Sequence, residues 1–213
     1  MARPERIDAV LFDFDGTLCD TETRNIVLMD EVLRELGASV PREELEALTG
    51  GEDRVVVPPL LERYGAHGTY DDYERLRDDW FRAYAEADLA LEPGARELLE
   101  DLGARGVRMG VVSMTAARCI LTALNRLGIL SRFGAIVCGD MVGRCKPDPE
   151  PYLRALDLLG VDASHAVVVE DSPTGIAAGR AAGCHVIAYT GCGMGLDASA
   201  ADEVVDSFVG IGL

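Results

Sequence analysis

The stretch VLFDFDGTLCD, residues 10–20, sets three carboxylates, Asp13, Asp15 and Asp20, at the end of an apolar run. The longer segment IDAVLFDFD, residues 7–15, is short, apolar and followed by Gly16, and it reads as a buried strand. Packing gives no reason for such a strand to end in acids, because an ionised carboxylate without a partner is costly to bury. A single strand also cannot satisfy its own backbone hydrogen bonds, so this one must pair with strands from elsewhere in the chain.

The second half supplies them. VRMGVVSM (107–114), GAIVCG (134–139), HAVVVED (165–171) and HVIAYT (185–190) read as strands, and DEVVDSF (202–208) is a further candidate. Between them lie helical patterns: GARELLEDLGARG (94–106), ARCILTALNRLG (117–128), PEPYLRALDLLG (149–160) and GIAAGRAAG (175–183). Alternating strands and helices predict a parallel sheet covered by helices on both faces, a doubly wound α/β core.

Residues 20–87 have a different rhythm. Ile26, Met29, Val32, Leu33 and Leu36 recur at helical spacing and stop at Gly37. Pro41 opens a short helix with acids in its first turn. In EDRVVVPPLLERYG (52–65), Pro58 and Pro59 are expected to break or kink any helix. TYDDYERLRDDWFRAYAEA (69–87) reads as one amphipathic helix with Tyr73, Leu76, Trp80 and Tyr84 on its apolar face. The chain therefore divides into an α/β core, residues 1–19 and 88–213, and a helical insertion, residues 20–87.

Composition narrows the partners. The 213 residues carry 37 acids against 20 Lys and Arg, a formal charge of −17, and 48% are apolar. That charge repels phosphate backbones and anionic headgroups, which argues against nucleic acid and membrane partners. No apolar run of about 18 residues and no apolar leader segment occur, so a cytoplasmic protein is expected, a monomer by default. The six cysteines form no C-x-x-C pair, which argues against a zinc knuckle or a dithiol redox motif. His67, His165 and His185 show no ligand spacing.

In open parallel sheets, ligands bind beyond the carboxyl ends of the strands. At those ends lie Asp13 and Asp15 after the first strand and Ser113 after the second. Lys146 follows the third, and Glu170 and Asp171 end the fourth. Carboxylates without His or Cys favour a hard cation with oxygen ligands, and Mg²⁺ suits them. Mg²⁺ with Lys146 would let an anionic phosphate enter an acidic site. Gly16 allows a tight turn whose amides can face phosphate oxygens. Asp13 and Asp15, two residues apart, share one face of an extended strand. One carboxylate can attack phosphorus, and the other can move protons.

DFDGTL, VVS, KPDP and VVVEDSPTGIAAGRAAG, in that order, resemble the four motifs of the haloacid dehalogenase-like superfamily. The helical insertion resembles the cap of the branch containing β-phosphoglucomutase and many sugar-phosphate phosphatases. The resemblance implies a Mg²⁺-dependent phosphatase acting on a small phosphorylated metabolite, a sugar or polyol phosphate, through an aspartyl-phosphate. By it, Asp13 is nucleophile and metal ligand; Asp15 is general acid/base, its carbonyl also on the metal. Ser113 and Lys146 hold the phosphoryl group, Asp171 binds the metal, and Glu170 binds it directly or through water. Thr17 lies near the hinge, with Gly16 and Met114 beside the phosphoryl site. Thr49, Gly50, Glu52 and Arg54 correspond to a cap segment that meets substrate. The alternative is a phosphomutase. Against it, Asn25 stands where the mutase has His, and Thr17 where it tends to have Val. Less favoured are a phosphoacceptor signalling module, whose metal acids precede the phosphorylated Asp, and a non-catalytic descendant of the family.

Overall fold

A computed structural model of the chain describes residues 2–48, 53–77, 80–85, 88–193 and 195–213; the side chains at 22–25, 80 and 82 also fall outside that description. The chain forms two compact units, Met1–Asp20 with Leu89–Leu213, and Thr21–Asp88.

The larger unit holds a six-stranded sheet. Its strands are β1 (Ala9–Phe12), β2 (Arg108–Ser113), β3 (Ala135–Cys138), β4 (Ala166–Glu170), β5 (His185–Tyr189) and β6 (Glu203–Val205). The order is β3-β2-β1-β4-β5-β6, and every neighbouring pair is parallel. Parallel strands need crossovers, and helices on both faces leave their central strands no solvent side. That explains why all four residues of β1 are buried and why its sequence is continuously apolar. The chain runs outward from β1 through β2 and β3, then returns to its other side at β4. Strand order therefore reverses at β1, where such sheets open a crevice.

On one face, Leu11, Val112, Val137, Val168 and Val186 pack with Tyr152, Ala155 and Leu156 from one helix and with Ile176 and Ala178 from another. This unit's helices among the described residues are α6 (Ala95–Ala104), α7 (Ala117–Arg126), α8 (Glu150–Leu159) and α9 (Pro173–Ala181). Gly160 ends α8 in the left-handed conformation. Ser172 opens α9 by accepting from the Gly175 amide, with Pro173 at the first helical position.

The smaller unit is helical: α1 (Glu22–Glu35), α2 (Arg42–Glu46), α3 (Asp53–Arg63), α4 (Tyr70–Arg77) and α5 (Trp80–Ala85). Leu33, Leu45, Val57, Leu60, Tyr73 and Tyr84 are buried within it. Within the segment after Thr69, expected as one helix, Tyr70–Arg77 and Trp80–Ala85 are helical, and residues 78 and 79 lie outside the described residues. One expectation changes. α3 continues through Pro58 and Pro59 without a break. The prolines remove two amide donors, but Val57, Leu60 and Leu61 around them are buried, and tertiary burial outweighs local propensity. The N-cap position of α1 is Thr21. No described helix is long and apolar enough to cross a membrane.

Candidate active site

β1 ends at Phe12, but the Asp13 amide still donates to the Val169 carbonyl of β4 at 2.9 Å, which continues the ladder by one bond. Asp13 is thereby held at the switch point beside the end of β4. Gly16 then turns the chain at φ 78°, and its amide donates to the Cys19 carbonyl. The strand is shorter than residues 7–15. Asp15 already lies in the turn, in an isolated bridge with Cys19. The two carboxylates consequently have different hydrogen-bond partners.

Asp13 faces charge. Lys146 Nζ lies 2.6 Å from Asp13 Oδ1 and 2.5 Å from Glu170 Oε1, and it donates to the Val112 carbonyl at 2.9 Å. Lys146 is almost wholly buried, and the Lys146–Pro147 peptide bond is cis. Burial alone would lower the Lys146 ammonium, but Asp13 and Glu170 outweigh it and hold its pKa well above the ordinary lysine value. Burial pushes the Asp13 carboxyl well above its usual range; Lys146 opposes this, while Glu170, Asp171 and Asp15 add to it.

Glu170 is fully buried, and both its oxygens are engaged. Oε1 accepts from Lys146 and from the Tyr152 hydroxyl at 3.1 Å; Oε2 accepts from the Ser172 amide at 2.9 Å and its hydroxyl at 3.0 Å. A side chain at Gly175 would collide with this carboxylate, so the first turn of α9 needs glycine there. Thr17, fully buried, donates to Asp171 Oδ1 at 3.3 Å.

Asp15 faces hydroxyls. Its Oδ2 accepts from Ser113 Oγ and from Thr115 Oγ1, each at 2.9 Å. The Thr115 amide in turn donates to Ser113 Oγ at 3.0 Å.

Asp13, Glu170 and Asp171 each offer a carboxylate oxygen, and these lie within 4.8 Å of one another. Three buried carboxylates against one ammonium leave an excess of negative charge. All the donors are hard oxygens. The set fits a hard divalent cation, which would relieve the repulsion that adds to the effect of burial on Asp13.

Of the residues singled out by sequence, Asp13, Asp15, Ser113, Lys146, Glu170 and Asp171 come together, and Thr17 joins them through Asp171. Met114 is half-buried in the turn after β2. Arg54 is exposed on α3 of the helical unit. Thr49, Gly50 and Glu52 lie outside the described residues, as does the Asn25 side chain. Three contributors escaped sequence reading. Tyr152 reads as ordinary core on an amphipathic helix, and Ser172 as only a cap. Thr115 stands two residues after Ser113, and that spacing was the one available signal.

Residues 10–189 match the family described as haloacid dehalogenase-like hydrolase. The chain belongs to that family. Among curated relatives of this hydrolase, a phosphorylated carbohydrates phosphatase from Thermotoga maritima is 32% identical, over 83% of this chain and 82% of the relative. Protein CbbY from Cereibacter sphaeroides is 34% identical, over 97% of this chain and 94% of the relative. A crystal structure of a CbbY variant from Rhodobacter sphaeroides, in complex with xylulose-(1,5)bisphosphate, has TM-score 0.81 and 31% identity. It covers 97% of this chain, which covers 96% of it. The expected family and its parallel α/β core are both present.

Proposed function

We propose that this hydrolase is a Mg²⁺-dependent phosphatase of small phosphorylated metabolites, sugar or polyol phosphates by preference. The carrying observation is the buried Asp13 carboxylate on Lys146, grouped with Glu170 and Asp171 where strand order reverses. The relatives named as phosphatases support the reading.

In this mechanism an Asp13 oxygen attacks phosphorus, and the bond from phosphorus to the leaving oxygen breaks as the aspartyl-phosphate forms. Asp15 gives its proton to the leaving oxygen. It then takes a proton from the water that hydrolyses the intermediate, which releases phosphate and restores Asp13. Lys146 and Ser113 hold phosphoryl oxygens. Asp13, Asp171 and the Asp15 carbonyl hold the cation, with Glu170 direct or through water. Bound there, Mg²⁺ supplies the positive charge that lets a phosphate approach these carboxylates. The role of the helical insertion as cap rests on the family resemblance.

Hydrolysis of p-nitrophenyl phosphate by the purified protein, with Mg²⁺ and with EDTA, is the test. Asp13→Asn should lower turnover by about a thousandfold or more, as loss of a covalent nucleophile does. Retention of most activity in that variant would overturn the assignment. A coupled assay on β-glucose 1-phosphate separates the mutase: isomerisation outrunning phosphate release would replace the phosphatase reading.

A further inference from the structure

We infer that Thr115 is a positioning residue for Asp15, orienting the carboxyl that serves as general acid. The inference rests on the phosphatase reading above. Two hydroxyls, from Ser113 and Thr115, donate to the same oxygen, Asp15 Oδ2. Two bonds to one oxygen hold the plane of the carboxyl and fix the orientation of the acid.

The two donors are not equivalent in the working enzyme. Each hydroxyl has one proton to give. Ser113 is assigned to a phosphoryl oxygen, and on substrate binding its proton goes there. Thr115 then remains as the hydroxyl of this pair on Asp15 Oδ2. The turn that carries Thr115 is itself secured from the end of β3. Its carbonyl accepts from the Gly139 amide at 3.3 Å, and Asp140 Oδ1 accepts from the Ala117 amide at 3.0 Å, which ties down the start of α7. Its own amide is committed to Ser113 Oγ. A residue whose backbone amide and carbonyl are both held can orient a proton donor without reorganising during the reaction.

The consequence depends on the leaving group. As the bond from phosphorus to the ester oxygen breaks, the Asp15 proton passes to that oxygen. An alkoxide needs this proton; p-nitrophenolate leaves without it. Thr115→Val removes the hydroxyl at nearly constant shape. Turnover of an alkyl ester such as β-glycerol phosphate should fall about tenfold or more, with p-nitrophenyl phosphate reduced less than about threefold, in line with the contribution of a positioned general acid. Thr115→Ser, which restores the donor, should bring the alkyl ester back towards the wild-type rate. Thr115→Ala carries the same expectation and is read in its place if the valine variant does not fold. Equal losses on both esters, no loss on either, or no rescue by serine would overturn the role of Thr115 alone. A wild-type protein inert towards both esters would overturn the phosphatase reading and this role with it.

Discussion

Each unit of the molecule buries a cation, and the two are treated differently. In the helical unit the Arg77 guanidinium pairs with Asp53, donates to the Tyr73 hydroxyl and lies 5.3 Å from the Tyr73 ring centroid. Asp53 is on α3, and Tyr73 and Arg77 are on α4, so this pair joins two helices. In the α/β unit the buried Lys146 faces two carboxylates, and a third, Asp171, is close by. An ion pair between two helices fixes geometry; a buried cluster of acids outnumbering its ammonium is a site whose charge must be completed by something bound.

Removing the cation should expose that difference. Lys146→Met leaves Asp13 and Glu170 buried without their counter-charge, and a loss of about 3–5 kcal/mol is expected in urea unfolding of the metal-free protein. The sign with pH follows from the raised Lys146 pKa. Its stabilisation is complete below the unfolded-state value of about 10.4 and is lost as pH rises through the higher folded value, so the gap should persist from pH 6 to 8. A variant as stable as wild type would mean that the ammonium does not hold these acids in place.

Adding charge is the opposite manipulation. Mg²⁺ at about a hundred times its dissociation constant should stabilise the protein by about 2.7 kcal/mol, seen as a rise in melting temperature. Asp171→Asn should remove most of that rise. An equal rise in the variant would place the cation away from the carboxylate cluster, whatever the catalytic outcome.

The helical unit should respond least. Asp53 keeps about a third of its side chain in water, so Arg77→Leu leaves an acid that solvent can screen. A cost of about 1–2 kcal/mol is expected, with no change in the Mg²⁺-induced shift. If Arg77→Leu destabilised the protein more than Lys146→Met, the contrast between the two buried cations would fail.

Legibility differed between the units in the same way. The α/β unit was readable because its strands are continuous apolar runs ending in polar residues, and each end proved to lie on one edge of the sheet. The helical unit was readable as helical, but α3 passes through Pro58 and Pro59 because burial of Val57, Leu60 and Leu61 overrides a local penalty. Within the site, the acids and Lys146 stood out as charges where burial is costly. Thr115, Tyr152 and Ser172 did not, since hydroxyls and phenols are ordinary in turns, cores and caps. Their roles come from partners distant in sequence: Thr115 from Asp15, 100 positions away, and Tyr152 from Glu170, 18 away.

The opening stretch shows where the division falls. VLFDFDGTLCD by itself determined that a buried strand ends in acids, that something must offset their charge, and that the chain turns at Gly16. Which acid meets which partner was decided only by the tertiary structure. Asp13 is pinned to β4 and paired with Lys146, and Asp15 accepts from Ser113 and Thr115. The reason is physical. Burial cost is a property of each residue type and can be read along the chain, whereas hydrogen-bond partners depend on which strand ends the sheet order brings side by side.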